Sequence, residues 1–199
     1  MENIKLPVPN KNGGATIQEA FANRKSYRGG ISGRKLSDQQ LSDLLWSANG
    51  INRPDGYRTA ASAINGRDID IYALTEQAVY KYNPDNHELV CIVEGDHRHA
   101  TSGGQEFVNI VPVVLVLVSD SDHFLSAEKN YPGVDFTPFR SSWAEMDAGI
   151  VSQNINLHCA GNGLATITRA FMDKTALKEI LKLKDTQIPL LNNAVGFPE

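Results

Sequence analysis

Arg24, Lys25, Ser26, Tyr27 and Arg28 form one run in a chain whose formal net charge is -4. Three fixed cations with a hydroxyl among them suit a phosphate dianion, because hydrogen bonds from guanidinium to phosphate are short, often bidentate and about twice as strong as neutral ones. The same run also reads as a solvated basic helix end, where Arg and Lys complement the helix dipole. Taken alone, it does not separate these readings.

Other residue combinations carry less chemistry. Gly161-Asn162-Gly163 lacks a third glycine and follows a helical pattern instead of a strand, which argues against a dinucleotide-binding turn. His97-Arg98-His99 offers two imidazoles, but the cation between them would repel a metal ion, so an exposed loop is expected. Asp120-Ser121-Asp122 lacks the glycine and distal glutamate of a calcium loop. No GxSxG elbow supports a hydrolase, and no metal site is expected.

The elements that would position the basic run can be read from caps and periodicity. Thr16 with Glu19 forms a capping box that starts a helix to about Asn23, with Ala20 and Phe21 on its buried side. Ser37 with Gln40 starts a second helix, in which Leu41, Leu44, Leu45 and Ala48 share a face and Gly50 is expected as a left-handed stop. Short strands are expected over 68–74, 78–82 and 89–93, the last two joined by a turn at Asn83-Pro84-Asp85-Asn86. Residues 101–109 read as a short helix. The apolar run 110–118 reads as a central strand covered on both faces, and it is too short to cross a bilayer as a helix. Residues 120–139, with Pro132, Gly133 and Pro138, read as a looser segment and candidate lid. A long helix over 142–159, a strand over 164–168, a helix capped by Asp173 and a strand over 188–197 complete the pattern. Helices and strands interleave without a regular βαβ period. The expected class is therefore α+β with a mostly antiparallel sheet.

At 199 residues, the chain fits one domain, with 41% apolar and 21% charged residues in the ordinary globular range. A pI near 5.7 with no sustained basic stripe argues against nucleic acid or an anionic membrane as partner. Cys91 and Cys159 read as small buried hydrophobes, in keeping with a reducing compartment. Residues 1–14 contain Pro7 and Pro9 and no apolar signal core, so an extended N-terminal arm and a cytoplasmic location are expected.

The basic run keeps company with Arg58-Thr59-Ala60-Ala61-Ser62-Ala63-Ile64-Asn65, with Asp147-Ala148-Gly149, with Gln153-Asn154, with Ala160-Gly161-Asn162-Gly163-Leu164 and with the closing Val195-Gly196-Phe197-Pro198. In this order and at these distances the segments resemble the FMN-dependent nitroreductase family. The resemblance is greatest to its branch containing the azoline (thiazole/oxazole) dehydrogenases, whose hairpin Val79 to Asp85, with His87 and Leu89, also matches. It spans residues 6–198.

The resemblance implies that Arg24, Lys25 and Ser26 meet the FMN phosphate and ribityl chain, with Arg28 completing the clamp. It places Ser62, Ala63 and Asn65 in a loop that reaches the flavin of a second subunit in a homodimer; Asn65 as a plain turn residue is the alternative. Gly163 and Leu164 would lie against the cofactor, and Arg169 and Ala170 would set backbone N–H groups near flavin N5. Gln105 would touch the ring edge or stand exposed. Asp147 would be structural. Three departures stand out: Ala61 replaces the usual Pro, Gly66-Arg67 follows Asn65 where Gln-Pro-Trp is typical, and no Lys or Arg follows Gly196, so Arg28 or a partner's Arg58 would substitute. The implied activity is hydride exchange with NADH or NADPH as reductant and a nitroaromatic, quinone or similar small molecule as acceptor. Oxidation of a peptide or azoline-like substrate and flavin binding without turnover are the alternatives.

Overall fold

The structure, a computed structural model, describes residues 2–199. Met1, the first residue of the expected arm, lies outside the described residues.

In chain order the elements are β1 (Ile4–Lys5), α1 (Ile17–Asn23), β2 (Ile31–Ser32), α2 (Asp38–Asn49), β3 (Ile69–Leu74), β4 (Ala78–Asn83), β5 (Glu88–Glu94) and β6 (Val113–Asp120). α3 (Ser121–Glu128), α4 (Arg140–Gly161), β7 (Ala165–Arg169), α5 (Lys174–Ile180) and β8 (Gln187–Pro198) follow. The sheet runs β1-β5-β4-β3-β6-β8-β2, with β7 also pairing β8, and every one of these ladders is antiparallel. The α+β, antiparallel reading holds.

β6 shows why the sheet sits at the centre. All eight of its residues are buried. Val113, Leu115 and Leu117 pack on one face with Leu44, Leu45 and Ala48 of α2 and Ala148, Val151 and Ile155 of α4. Val114, Val116 and Val118 pack on the other face with Leu177 of α5, Leu181 and Val108. Side chains alternate across a strand, so one continuous apolar run of Val and Leu serves both layers. Each such side chain stabilises the fold by roughly 1.5–3 kcal/mol relative to exposure.

Several expectations are corrected in detail. Gly50 does end α2, but at φ -79° and ψ 166°, so its glycine is not a left-handed stop. A Cβ there would lie 2.4 Å from Trp46 Cδ1 and 2.7 Å from Trp46 O, so close approach requires it. Residues 101–109 are not one helix: 3-10 turns at Arg98–Thr101 and Glu106–Asn109 flank Gly103 and Gly104, whose φ of +53° and +81° break any continuous helix. The strand expected from residue 110 starts at Val113, after Pro112, which has no N–H to give a ladder. The expected loose segment begins with α3, which Asp120 caps by accepting Asp122 N–H at 3.0 Å. Beyond α3, an Arg140–Glu128 ion pair and the Phe136, Phe139 and Trp143 rings tie residues 129–139 to the start of α4. β1 and β2 were not foreseen, since two-residue strands leave no periodicity. No described helix is long and apolar enough to cross a membrane.

Candidate functional site

Both expected capping boxes form, and the first of them delivers the basic run. Glu19 N–H gives to Thr16 Oγ1 at 3.3 Å while Glu19 Oε2 takes Thr16 N–H at 2.7 Å, which fixes the start of α1. The helix stops at Arg24, whose backbone is extended at φ -62° and ψ 120°. No cation lies in its last turn, and Arg24 is itself the C-cap, so only the first residue of the run sits at the helix end. The chain instead passes along β7, where Tyr27 N–H donates to Thr166 O at 3.1 Å. Arg24, Lys25, Ser26 and Arg28 are all exposed. Lys25 Nζ stands over the Tyr27 ring, 4.7 Å from its centroid.

Lys25 and Tyr27 line a cavity of about 460 Å³ together with Asn156, Gly163 and Leu164. No carboxylate lines it. Gly163 has φ +68° and open space where a Cβ would stand, so the chain turns there in a conformation that favours glycine and leaves the backbone accessible. Lys25, Gly163 and Leu164, far apart in sequence, are thus brought together. Arg24, Ser26 and Arg28 adjoin them along the chain but do not line this cavity.

A second group forms at the end of β7. Arg169 is buried, and burial lowers its pKa from the ordinary guanidinium value. Its Nε donates to Gln105 Oε1 at 2.8 Å, Nη1 to Thr101 O at 2.6 Å and Asn192 Oδ1 at 3.1 Å, and Nη2 to Ser102 O. Each acceptor is neutral, so the cation keeps its charge while holding the turn that contains Gly103, Gly104 and Gln105. Ala170 beside it is exposed. Beneath lies a polar network unforeseen from sequence: Ser152 Oγ donates to Asn193 Oδ1 at 2.9 Å, and Asn193 Nδ2 donates to Asn156 Oδ1 at 3.2 Å and Thr168 Oγ1 at 3.1 Å. The only sequence signal was a pair of Asn residues inside an apolar strand.

The third group is the loop over 62–67. Ile64, Asn65 and Arg67 have φ of 47°, 57° and 53°, and none is glycine. Such left-handed residues cost on the order of 1–3 kcal/mol each, and the β-branched Ile64 is the least suited. Four contacts hold the shape. Ala63 N–H gives to both Asp147 carboxyl oxygens, at 3.0 and 3.2 Å, Arg67 N–H to Ser62 Oγ at 2.9 Å, and Arg67 Nε to Asn65 Oδ1 at 3.2 Å. Gly66 lies against Phe124, whose Cδ1 would be 2.7 Å from an added Cβ. Asp147 is therefore a loop anchor, as its structural reading anticipated. Asp68, next in the chain, is fully buried, and its Oδ2 takes the Ser119 hydroxyl at 2.5 Å. Burial is the main cause that pushes its carboxyl up to about 8, and burial raises Asp147 as well. Sequence reading missed Asp68, which looks there like any polar residue before a strand.

Remaining candidates are occupied by structural work. Arg58 is largely buried, gives Nη1 to Asn49 O at 3.2 Å and stands 3.9 Å from Asp85, leaving Nε without a partner. Arg98 is buried in a two-pronged pair with Asp96, with bonds of 2.8 and 2.6 Å, and so anchors the segment between His97 and His99. Asp70, Asp120 and His123 could converge on a cation. Lys81 Nζ already lies 2.7 Å from Asp70, and Gln187 Nε2 donates to Asp120 at 3.0 Å. Lys81 thus offsets one of the two carboxylates, and the Gln187 amide satisfies the other without cancelling its charge.

A sequence model described as Nitroreductase family matches residues 21–197. A protein of Methanocaldococcus jannaschii carrying the nitroreductase name is 28% identical over 189 residues, covering 90% of each chain. The crystal structure of a nitroreductase-named protein of Ralstonia eutropha JMP134 superposes with a TM-score of 0.87 at 30% identity, covering 100% of this chain and 90% of that one. The fold also matches a chain of the Escherichia coli microcin synthetase McbBCD complex, with a TM-score of 0.71 at 19% identity, covering 90% of this chain and 73% of that one. The antiparallel sheet, its five flanking helices and the sequence match agree: the chain belongs to the nitroreductase family of oxidoreductases.

Proposed function

We propose that this protein is an FMN-dependent oxidoreductase that takes hydride from NADH or NADPH and passes it to a nitroaromatic, quinone or similar small acceptor. The observation that carries the reading is the carboxylate-free cavity at which Lys25 and Tyr27 meet Gly163 and Leu164, directly adjoining Arg24 and Arg28. A phosphate dianion needs several cations and no competing acid nearby; Lys25 lines the cavity, no carboxylate does, and Arg24 and Arg28 flank Lys25 along the chain to supply the rest. FMN, when bound, supplies the hydride-exchanging ring.

The chain's own residues have positioning and electrostatic roles. Arg24, Lys25, Ser26 and Arg28 bind the phosphate and ribityl end, and Gly163 and Leu164 admit the cofactor close to the backbone. Arg169 and Ala170 present backbone N–H groups to the ring, with the Arg169 side chain locking Gln105 beside it. Ser62, Ala63 and Asn65 complete the neighbouring subunit's site, so the working unit is a homodimer. No side chain is assigned a proton-transfer role.

The test is an anaerobic titration of the FMN-loaded protein with NADH and then NADPH, followed by addition of a quinone. Bleaching of the flavin band by one nicotinamide and its return with the quinone are expected. Full loading with no bleaching by either would overturn the reductase direction.

A further inference from the structure

We propose that Asp68 and Asp147 work as one proton-sharing pair that positions the loop over 62–67, with Asp68 holding the proton and Asp147 kept ionised to grip the Ala63 N–H. The geometry leaves little other choice. Both groups are buried, at 0% and 3% exposure. Asp147 already spends both oxygens on Ala63 N–H. Asp68 Oδ2 accepts the Ser119 hydroxyl, whereas its Oδ1 is buried with no donor to accept from. The Asp68 and Asp147 carboxyls interact side chain to side chain. Two ionised carboxylates in contact in a dry site repel and lack solvation, so one of them must carry a proton. A proton on Asp68 turns the orphan acceptor into a donor toward Asp147. That single proton satisfies both groups.

The surroundings contain no compensating cation. β6 presents Ser119 and Asp120, and the Asp120 carboxylate is taken by Gln187 Nε2 and Asp122 N–H. The loop contributes Arg67, whose N–H goes to Ser62 Oγ and whose Nε goes to Asn65 Oδ1. Among the described residues no Lys, Arg or His pairs with Asp68 or Asp147. The pair titrates as a unit, with Asp68 raised to about 8 mainly by burial. The folded value lies above the unfolded one near 3.9, so the protonated form is the native one. Raising the pH through about 8 places a second charge in the pair and competes with the grip on Ala63. Ile64, Asn65 and Arg67, all left-handed, are then free to relax.

Asp147 and Asp68 are positioning residues, and their effect on the cofactor rests on the proposed role of Ser62, Ala63 and Asn65. The experiment follows two readouts between pH 7 and 9, above the second ionisation of a phosphate near pH 6. One is the carboxyl-carbon NMR shift of Asp68 and Asp147 in the flavin-free wild-type protein, and the other is the FMN dissociation constant by flavin fluorescence. Expected results are a protonated Asp68 at pH 7 that titrates near 8, FMN binding that weakens several-fold from pH 7 to 9, and a flat profile in Asp68→Asn. In that variant the amide can still donate to Asp147 but cannot ionise. An Asp68 carboxyl already ionised at pH 7, or wild-type FMN binding that does not change with pH, would overturn the proposal. If Asp68→Asn fails to fold, the wild-type titration still decides whether the proton is shared. Failure of FMN to bind at any pH, with the shared proton seen, would instead remove the FMN reading and leave the pair standing.

Discussion

At the scale of single residues, the basic run stands out in the sequence as contiguous cations that fit an anion site and a solvated helix end alike, whereas the role of Asp68 depends on what surrounds it. Arg24→Ala is expected to weaken FMN by roughly 1.5–3 kcal/mol, the scale of a hydrogen bond to a charged group. Equal affinity in fluorescence titrations of variant and wild type would show that Arg24 does not meet the phosphate. His158 gives a prediction independent of any ligand. Burial lowers its pKa to about 4, and its Nδ1 lies 2.9 Å from Ser47 Oγ. A folded value below the unfolded 6.5 means that its contribution is complete above pH 6.5 and is lost as pH falls toward 4. That loss is on the order of 2–3 kcal/mol. Urea melts across this window should show a shallower acid slope in His158→Gln; an unchanged slope would mean that His158 is not buried as a neutral ring.

At the scale of elements, both capping boxes, the two faces of β6 and the long helix α4 could be read because local hydrogen bonding and apolar period dictate them. The glycines were harder. Gly50 and Gly163 look alike in sequence, yet Trp46 packing requires the first and a left-handed turn the second. The 3-10 turns around Gly103 and Gly104 are set by a tertiary contact, the Arg169 side chain, which no local pattern announces. Arg169→Met should therefore leave Thr101 O and Ser102 O without their donor. Leaving buried polar groups unpaired costs about 1–3 kcal/mol. Faster amide exchange confined to residues 101–109 would be its signature. Exchange unchanged there would show that the turn holds its shape without the guanidinium.

At the scale of the whole molecule, the antiparallel sheet followed from interleaved strands and helices, but the departures at Ala61, Gly66 and Arg67 could be interpreted only in three dimensions. Phe124 occupies the space that makes Gly66 necessary, and Asp147 anchors the loop from α4. None of residues 62–67 lines the Lys25 cavity within one chain, so under the proposed reading that loop would have to reach it from a second chain. An exposed Met146 and Ile150 on α4 supply apolar surface for such an association. Obligate interfaces of this kind bury more than about 2,000 Å² and leave no stable monomer. The most direct measurement is light scattering coupled to flavin absorbance on the FMN-loaded protein at micromolar concentration. The account predicts a particle of twice the 21.8 kDa chain mass carrying one FMN per chain. A 21.8 kDa monomer that holds FMN, or a dimer that holds none, would contradict it.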